Sequence, residues 1–278
     1  MNYIICTSHV YKYVEDYIKS ILPVINAKLI LNANDIIYQE TNNYIFVQNI
    51  PTHLLYNFDS NNNVYLLNIE QLSNKNKYNV HIVMYNEKQN INIIDYSYAN
   101  LKYYNNLKNK ILYLPYQINY DEIIQNTNKT KDICLIGDVI PENRQNIINL
   151  LKEKNINVDI ISGFGQKRDE ELFKYKIILN ISFLKDFTIF ESIRCDRCIF
   201  NKMIVISDMK EDIEKYYLKD YVIFEEYENI PDVVVNVLHN YHYYHNKLFK
   251  NFNLEIIANK INELSKCIVE QLSVHQQL

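Results

Sequence analysis

The sequence predicts an α/β protein with two domains, each built from a parallel β-sheet with helices on both faces. Short runs of β-branched residues alternate with helical segments along most of the chain, a pattern typical of this class. The runs are continuously apolar, as expected for strands that are covered on both sides. The length of 278 residues is sufficient for two modest domains.

The first predicted domain covers residues 1–125. It begins with strand Tyr3–Cys6 and a helix that extends to about Leu22. Its further predicted strands are Leu29–Leu31, Tyr44–Val47, Val64–Leu67, His81–Met84, Ile91–Ile94 and Ile111–Leu114. The polar stretch Tyr120–Lys131 is rich in Asn and Thr, so we interpret it as the linker to the next domain.

The second predicted domain covers residues 126–252, and a C-terminal helix over residues 253–278 is expected to pack back on the first domain. Its predicted strands are Ile133–Ile136, Val158–Ile161, Ile177–Ile181, Ile204–Ser207 and Val222–Phe224. Its predicted helices run from about Glu142 to Lys154, Asp169 to Tyr175, Thr188 to Asn201 and Glu211 to Tyr217. Two Rossmann-like domains of this kind are expected to face each other across a cleft, with ligands at the carboxyl ends of the strands.

Composition excludes several classes of function. The net charge of −4 and the pI of about 6.0 argue against nucleic acid as the main partner. Five irregularly spaced cysteines favour reduced thiols and a cytoplasmic location. No apolar run approaches the roughly 18–20 residues that span a bilayer, so we expect no transmembrane segment, although contact with a membrane surface stays open. A homodimer is compatible with the sequence.

Glycine and arginine are confined to one part of the second predicted domain. Glycine allows sharp turns and close approach of backbone to a ligand, and arginine grips phosphate or carboxylate with two parallel hydrogen bonds. Their confinement predicts that the ligand is held there. The residues, all between Lys131 and Asp208, are Gly137, Gly163, Gly165, Arg144, Arg168, Arg194 and Arg197.

The predicted helix that Thr188 opens carries the sharpest set of polar side chains. Glu191, Arg194 and Arg197 are spaced three apart and share one broad face. The first turn of this helix should point into the cleft with free N–H groups and a positive dipole end. A glutamate there is suited to a ribose diol, and the arginines to a diphosphate. A Glu–Arg ion pair on a solvated helix is an equally open interpretation of the same spacing.

Seven short motifs follow in an order that resembles a known family. They are Ile136-Gly137, Arg144, Val158-Asp159-Ile160, Gly163-Phe164-Gly165, Leu179-Asn180-Ile181, Phe190-Glu191-Ser192-Ile193-Arg194 and Ile204-Val205-Ile206-Ser207-Asp208. Together they resemble the C-terminal domain of GT-B glycosyltransferases of the group 1, or family 4-like, type. The resemblance covers about 80 residues well and extends loosely upstream.

The resemblance implies metal-independent transfer of a sugar from a nucleotide-diphosphate sugar to a glycan or small-molecule acceptor. No other cofactor is implied, and electrostatic relief of the leaving diphosphate would be the main catalytic effect. The second domain would hold the donor, with Glu191 on the ribose and Arg144 near the diphosphate. The residues implied beside them are Arg194 and Arg197 for charge, Gly137 at the strand end, Thr188 at the helix start, and Gly163, Phe164 and Gly165 near the base.

Departures from the family pattern motivate an alternative function. Ile199 and Leu184 stand where many relatives carry a second glutamate, and Lys202 replaces a usual glycine. Thr7-Ser8-His9 replaces the glycine-rich acceptor loop. The alternative is a GT-B-like protein that has lost catalysis and serves as a binding or scaffold partner. A Rossmann epimerase or dehydrogenase is disfavoured, because Gly163 and Gly165 are not part of a Gly-x-Gly-x-x-Gly fingerprint.

Three further sets of residues have a chemical and a plain interpretation. His9 follows the first predicted strand and is the catalytic candidate, as a base or an acceptor-orienting group, although an exposed loop histidine is the simpler interpretation. His239, His242 and His245 fall on one helical stripe, for which a solvated face is favoured over a metal site. The pair Cys195 and Cys198 lacks a second such pair, so neither zinc nor redox chemistry is expected.

Overall fold

The computed structural model describes residues 1–36, 42–51, 63–73, 91–104, 110–124 and 128–274. It divides into two compact units, one formed by Met1–Gln117 with Ile257–Leu278 and the other by Ile118–Ile256. The first contains a six-stranded sheet and the second a five-stranded sheet, and all strand pairs are parallel. The predicted class, two α/β domains with parallel sheets, is confirmed.

The sheet of the first unit has the order β2-β1-β3-β4-β5-β6. Its strands are β1 (Asn2–Ile5), β2 (Ala27–Ile30), β3 (Asn43–Val47), β4 (Asn63–Asn68), β5 (Ile91–Asp95) and β6 (Ile111–Tyr113). Every residue of β3 is buried, as its continuous apolar run predicts. The predicted strand His81–Met84 lies outside the described residues.

Two α-helices of this unit lie within the described residues. Helix α1 (Ser8–Ile21) begins after Thr7, whose Oγ1 accepts a hydrogen bond from the backbone N of Val10 at 3.3 Å. The C-terminal helix, α7 (Leu254–Val274), contributes its residues from Ile257 onward, about five turns, to the same unit. Its Leu272 carbonyl accepts from Asn43 Nδ2 at 3.0 Å, and its Ser265 Oγ accepts from Gln117 Nε2 at 2.9 Å.

The sheet of the second unit has the order β11-β10-β9-β7-β8. Its strands are β7 (Lys131–Ile136), β8 (Asp159–Ile161), β9 (Tyr175–Asn180), β10 (Ile204–Asp208) and β11 (Val222–Glu225). Its helices are α2 (Glu142–Glu153), α3 (Gly165–Leu172), α4 (Ser192–Phe200), α5 (Ile230–His239) and α6 (Tyr241–Phe249). The strand order changes direction between β7 and β9, and such a switch point is where ligands bind in open α/β sheets.

The helix expected from Thr188 begins at Ser192 instead. The Thr188 carbonyl accepts a hydrogen bond from the backbone N of Glu211 at 2.8 Å, which ties this segment to the loop after β10. Phe190 is buried, with its ring centre 4.6 Å from that of Tyr216. These contacts hold Thr188–Glu191 out of the helix.

Two other helices also differ from their predicted bounds. The helix near Asp169 begins earlier, at Gly165, and ends at Leu172, because Tyr175 already belongs to β9. The segment Glu211–Tyr217 forms only a short 3-10 turn, Ile213–Lys215. Among the described residues, no helix is both long enough and apolar enough to cross a membrane.

Candidate functional site

The candidate site lies at the carboxyl end of the second sheet. Gly137 follows β7, Asn180 ends β9 and Asp208 ends β10, and these three strands are neighbours in the order β10-β9-β7. Residues from the ends of all three strands therefore meet at the switch point of this sheet.

Gly137 makes the turn at the end of β7. Its φ is +101°, a backbone conformation that residues other than glycine rarely adopt. A Cβ at this position would lie 3.4 Å from Nη1 of Arg144. Glycine is therefore suited to this position on two grounds, the backbone conformation and the close approach of the guanidinium.

Arg144 lies on α2 and connects the ends of β7 and β9. Its Nε donates to the carbonyl of Ile181 at 3.0 Å, and its Nη1 donates to the carbonyl of Asp138 at 2.7 Å. The guanidinium carbon lies 5.5 Å from the ring centre of Phe183. The residue is 3% exposed. Burial, and after it the positive charge of Arg194, lowers the pKa of Arg144 to about 10.

Arg194 and Glu191 occupy the first turn of α4. Nη1 of Arg194 donates to Oδ1 of Asn180, at the end of β9, at 3.3 Å. Glu191 is the N-cap residue, but its side chain does not cap the helix. Its negative charge acts on Arg144 and raises the pKa of that guanidinium, against the effect of Arg194. The structure therefore brings Gly137, Arg144, Glu191 and Arg194 together, as the sequence predicts.

One hydroxyl beside Glu191 is unsatisfied. Oγ of Ser192, in the first turn of α4, is buried and has no hydrogen-bond partner among the described residues. Buried polar atoms are normally paired, and an exception calls for an explanation such as an absent ligand. This hydroxyl adds a donor and acceptor to the end of the helix that carries Glu191 and Arg194.

A second buried network at the same end of the sheet was missed by the sequence analysis. Nζ of Lys210 lies 2.7 Å from Oδ1 of Asp208, and the Lys210 side chain is 1% exposed. Lys210 also donates to Oγ of Ser182, whose backbone N donates to Asp208 Oδ1 at 3.2 Å. Burial lowers the pKa of Lys210, while the charge of Asp208 opposes that shift. The sequence feature that could have indicated this network is Lys210, a lysine two positions after the end of the buried strand β10.

Arg197 has a different role from the one predicted. Its Nη2 lies 2.6 Å from Oδ2 of Asp169 on α3, and its Nε lies 3.2 Å from Oε2 of Glu122. Its guanidinium carbon lies 5.4 Å from the ring centre of Phe173, and the residue is 3% exposed. Because two carboxylates already hold its guanidinium, Arg197 joins α4 to α3 and to the segment before β7. We therefore expect Arg197 to serve packing instead of donor binding.

The loop Gly163–Gly165 follows β8, the edge strand next to β7. Both glycines have positive φ, +89° at Gly163 and +64° at Gly165, and Phe164 between them is 45% exposed. Gly163 and Phe164 line one side of a cavity of about 650 Å³ that extends to Tyr175. Thr188 is half-buried in the extended segment before α4.

The other candidates belong to the first unit or carry no ligand geometry. His9 is exposed in the first turn of α1, in the first unit, with its ring 5.4 Å from that of Tyr13. Cys195 and Cys198 are buried in α4. In the part of the chain that the structure describes, no group of three or more His, Cys, Asp or Glu side chains is arranged to hold a metal ion.

Searches by sequence find similar proteins in Acanthamoeba polyphaga mimivirus. Uncharacterized protein L140 is 33% identical over 257 residues, which cover 87% of this chain and 81% of L140. Uncharacterized protein R358 is 27% identical, and the match covers 88% of this chain and 90% of R358. Uncharacterized protein L138 is 31% identical, but this chain spans only 29% of it. No protein-family model matches the chain.

Comparison with solved structures supports the predicted fold. TarM superimposes with a TM-score of 0.54 at 13% identity, and the match covers 82% of this chain and 55% of TarM. A mutant of S. aureus TarM in complex with fondaparinux, alpha-GlcNAc-glycerol and UDP gives a TM-score of 0.52 at 13% identity, over 80% of this chain. The chain thus spans about half the length of TarM. The predicted GT-B-like two-domain α/β fold is confirmed.

Proposed function

The chain belongs to the family of the mimivirus protein L140, and we propose that it is a glycosyltransferase that uses a nucleotide-diphosphate sugar. The observation that carries this proposal is the pair of guanidinium groups, Arg144 and Arg194, at the switch point of the second sheet. Arg194 is close enough to lower the pKa of Arg144. Two cations held together in this way favour a bound anion with more than one negative charge.

A diphosphate matches this pair in charge. Both hydrogen bonds of Arg144 go to backbone carbonyls, so neither neutralises its charge. Arg194 is half-buried and donates to the neutral amide of Asn180. In our proposal Arg194 contacts the diphosphate, and Arg144 supports it with a fixed, buried charge. Both charges would stabilise the negative charge that develops on the leaving diphosphate.

The first turn of α4 supplies groups for the rest of the donor. We propose that the Glu191 carboxylate accepts hydrogen bonds from the ribose diol, and that the unsatisfied Ser192 hydroxyl also contacts the donor. The positive end of the helix dipole adds to the attraction for the phosphates. The glycines of loop Gly163–Gly165 would allow backbone to approach the base. The acceptor, a glycan or small molecule, and any role of His9 belong to the first unit in this proposal.

A screen for nucleotide use tests this function. Purified protein is incubated with UDP-, GDP-, CDP- and dTDP-sugars, and release of nucleoside diphosphate is followed with and without glycan acceptors. We expect one base to be preferred, and Glu191→Gln to reduce turnover while the protein stays folded. Lys152→Gln, an exposed change at the far end of α2, is the control and should leave turnover unchanged. Nucleotide binding without any turnover would favour the alternative of a binding protein that has lost catalysis.

A further inference from the structure

A large basic cavity lies at the other end of the second sheet. Its volume is about 1270 Å³, and it is lined by residues that precede strands and by helices α5 and α6. The lining includes Lys129, Lys176, Lys202, Tyr241, His242 and His245, and it includes no aspartate or glutamate. Lys129 precedes β7, Lys176 stands near the start of β9, and Lys202 precedes β10. The basic cavity is therefore at the amino ends of the strands whose carboxyl ends form the candidate donor site.

Two of the lysines have no carboxylate partner within the described residues. Nζ of Lys129 donates to the carbonyl of Phe173 at 2.8 Å, and burial lowers the pKa of this amine to about 8. Lys202 places its Nζ 5.8 Å from the ring centre of Phe252. Lys176 differs, because its Nζ lies 2.6 Å from Oδ1 of Asp132. Lys202 is exposed, whereas Lys129 is half-buried, and a partly desolvated ammonium without a counter-ion carries a cost that a bound anion would reduce.

Positive charges of the residues that line the cavity act on the imidazole of His245. Burial lowers the pKa of this imidazole, and the charges of Lys129, Lys202 and His242 lower it further. A hydrogen bond with the backbone of Lys202, second in size to burial, raises this pKa and opposes the shift. Three basic groups from three chain segments, Lys129, Lys202 and His242, thus lie within electrostatic reach of the His245 imidazole. The predicted helical stripe of His239, His242 and His245 is divided between two helices, because α5 ends at His239 and α6 begins at Tyr241.

Aromatic rings lie beside this basic cluster. The Tyr241 ring centre is 5.4 Å from that of His245, and Nζ of Lys176 lies 5.6 Å from the same tyrosine ring. Tyr243, also part of the lining, is 65% exposed. The cavity is larger than the 300–1,000 Å³ or so of ordinary small-molecule pockets, so it has room for a ligand with a ring as well as an anionic group.

We propose that the basic cavity binds a phosphate ester, with the phosphate between Lys129, Lys202 and His245 and the organic ring against Tyr241. Phosphate fits better than carboxylate, because it offers acceptor oxygens in several directions to donors that come from different elements. Lysine binds phosphate as a point charge without needing the forked geometry of arginine. This site is separate from the donor site and does not depend on the proposed function.

The test uses the imidazole signals of the full chain in NMR, with His245→Gln to assign the His245 signal. Pyrophosphate is titrated into the wild-type protein. We expect the His245 signal to shift and its apparent pKa to rise, because the bound anion counteracts the lysine charges. The charged groups that act on this imidazole are Lys129, Lys202 and His242.

Matched variants locate the binding. Lys129→Gln combined with Lys202→Asn should weaken the pyrophosphate effect on His245 at least about tenfold, as expected for loss of charged hydrogen bonds. Asparagine tolerates the positive φ of +53° at residue 202, so Lys202→Asn alone serves if the double variant does not fold. Lys247→Gln, an exposed change on α6 outside the cavity lining, and Arg194→Gln in the donor site should leave the effect unchanged.

Two further probes identify the organic part. A sugar 1-phosphate and a nucleoside diphosphate are compared with pyrophosphate by their effect on His245, and tighter binding of either supports a ring contact at Tyr241. The proposal is overturned if millimolar pyrophosphate leaves His245 unchanged in the wild-type protein. It is also overturned if the lysine variants bind as tightly as the wild type. Neither result would contradict nucleotide binding at the donor site, because that binding is tested separately by the nucleotide affinity of Arg194→Gln.

Discussion

Nε of Arg144 donates a hydrogen bond to the carbonyl oxygen of Ile181 at 3.0 Å, which joins helix α2 to the carboxyl end of β9. The same guanidinium donates to the carbonyl of Asp138, in the turn that follows β7. One side chain therefore fixes the two strand ends between which the sheet order reverses. This relationship makes the arginine part of the structure of the site as well as part of its charge.

Gly137→Ala tests whether this turn requires glycine. The turn would hold the alanine at a φ of +101°, and the added Cβ would lie 3.4 Å from Nη1 of Arg144. We expect a loss of about 1–3 kcal/mol in the free energy of unfolding, as for other strained backbone positions. Gly163→Ala is the matched control, because its φ is +89° but no atom lies within 4 Å of the added Cβ. Denaturant unfolding should show the larger loss at Gly137, and an equal loss would contradict the contact with Arg144.

Arg197 should matter for stability and not for ligand binding. Arg197→Met would remove the ion pairs of Arg197 with Asp169 and Glu122, although Asp169 keeps its pair with Arg168, and breaking a buried ion pair typically costs about 3–5 kcal/mol. The measurement is urea unfolding together with nucleotide affinity under conditions where the variant is folded. A loss of nucleotide affinity with unchanged stability would restore the role that the sequence suggested.

Lys210 should behave as half of a buried pair. Lys210→Met would leave Asp208 as an uncompensated buried charge, so we expect a loss of about 3–5 kcal/mol in the free energy of unfolding. Adding Asp208→Asn should recover much of that loss, because no buried charge then remains. A double-mutant cycle measures the coupling, and additive effects of the two changes would show that the pair does not act as a unit.

The free energy of unfolding is expected to depend on pH because of the buried carboxyl group of Asp196. This carboxyl group is buried in α4 and accepts hydrogen bonds from the hydroxyls of Tyr216 and Tyr217. Burial raises its pKa from 3.8 to about 7, while the two tyrosines oppose the shift. Between these values the folded protein holds a proton that the unfolded chain releases, so the group's contribution is complete below about pH 4 and is lost as the pH rises through 7.

The variant Asp196→Asn isolates this effect. The wild type should lose stability relative to the variant between about pH 4 and pH 7, by up to about 4 kcal/mol for a shift of about three pKa units. Asp95 carries a shift in the same direction, with a pKa of about 6, and it is present in both proteins. Parallel stability curves for wild type and variant would contradict the raised pKa of Asp196.

The strands of the second sheet could be predicted because each contains a short apolar run, and the runs of the inner strands β7, β9 and β10 are largely buried. The grouping of Gly137, Arg144, Glu191 and Arg194 followed, since strand ends at one edge of a parallel sheet must meet. The start of α4 could not be predicted, because Thr188 is held by a backbone hydrogen bond from Glu211 in a later loop. Local pattern does not contain that contact.

The role of Arg197 was hidden for the same reason. Its partners, Asp169 and Glu122, are 28 and 75 residues earlier in the chain. A spacing of three residues from Arg194 predicts a shared helix face, but it does not predict which carboxylates another element brings to that face. Lys210 was missed because lysine beyond a strand is usually solvated, and only burial by the fold shows otherwise.

In our proposal the Arg144–Arg194 pair binds the diphosphate of a nucleotide-sugar. The most direct measurement is calorimetric titration of the preferred nucleoside diphosphate into the wild type, Arg194→Gln and the control Lys152→Gln. We expect Arg194→Gln to weaken binding by about tenfold to a hundredfold, as for loss of charged hydrogen bonds, while its unfolding free energy and the control's affinity stay unchanged. Equal affinity of Arg194→Gln and the wild type, or no binding of any nucleoside diphosphate to the wild type, would contradict the claim.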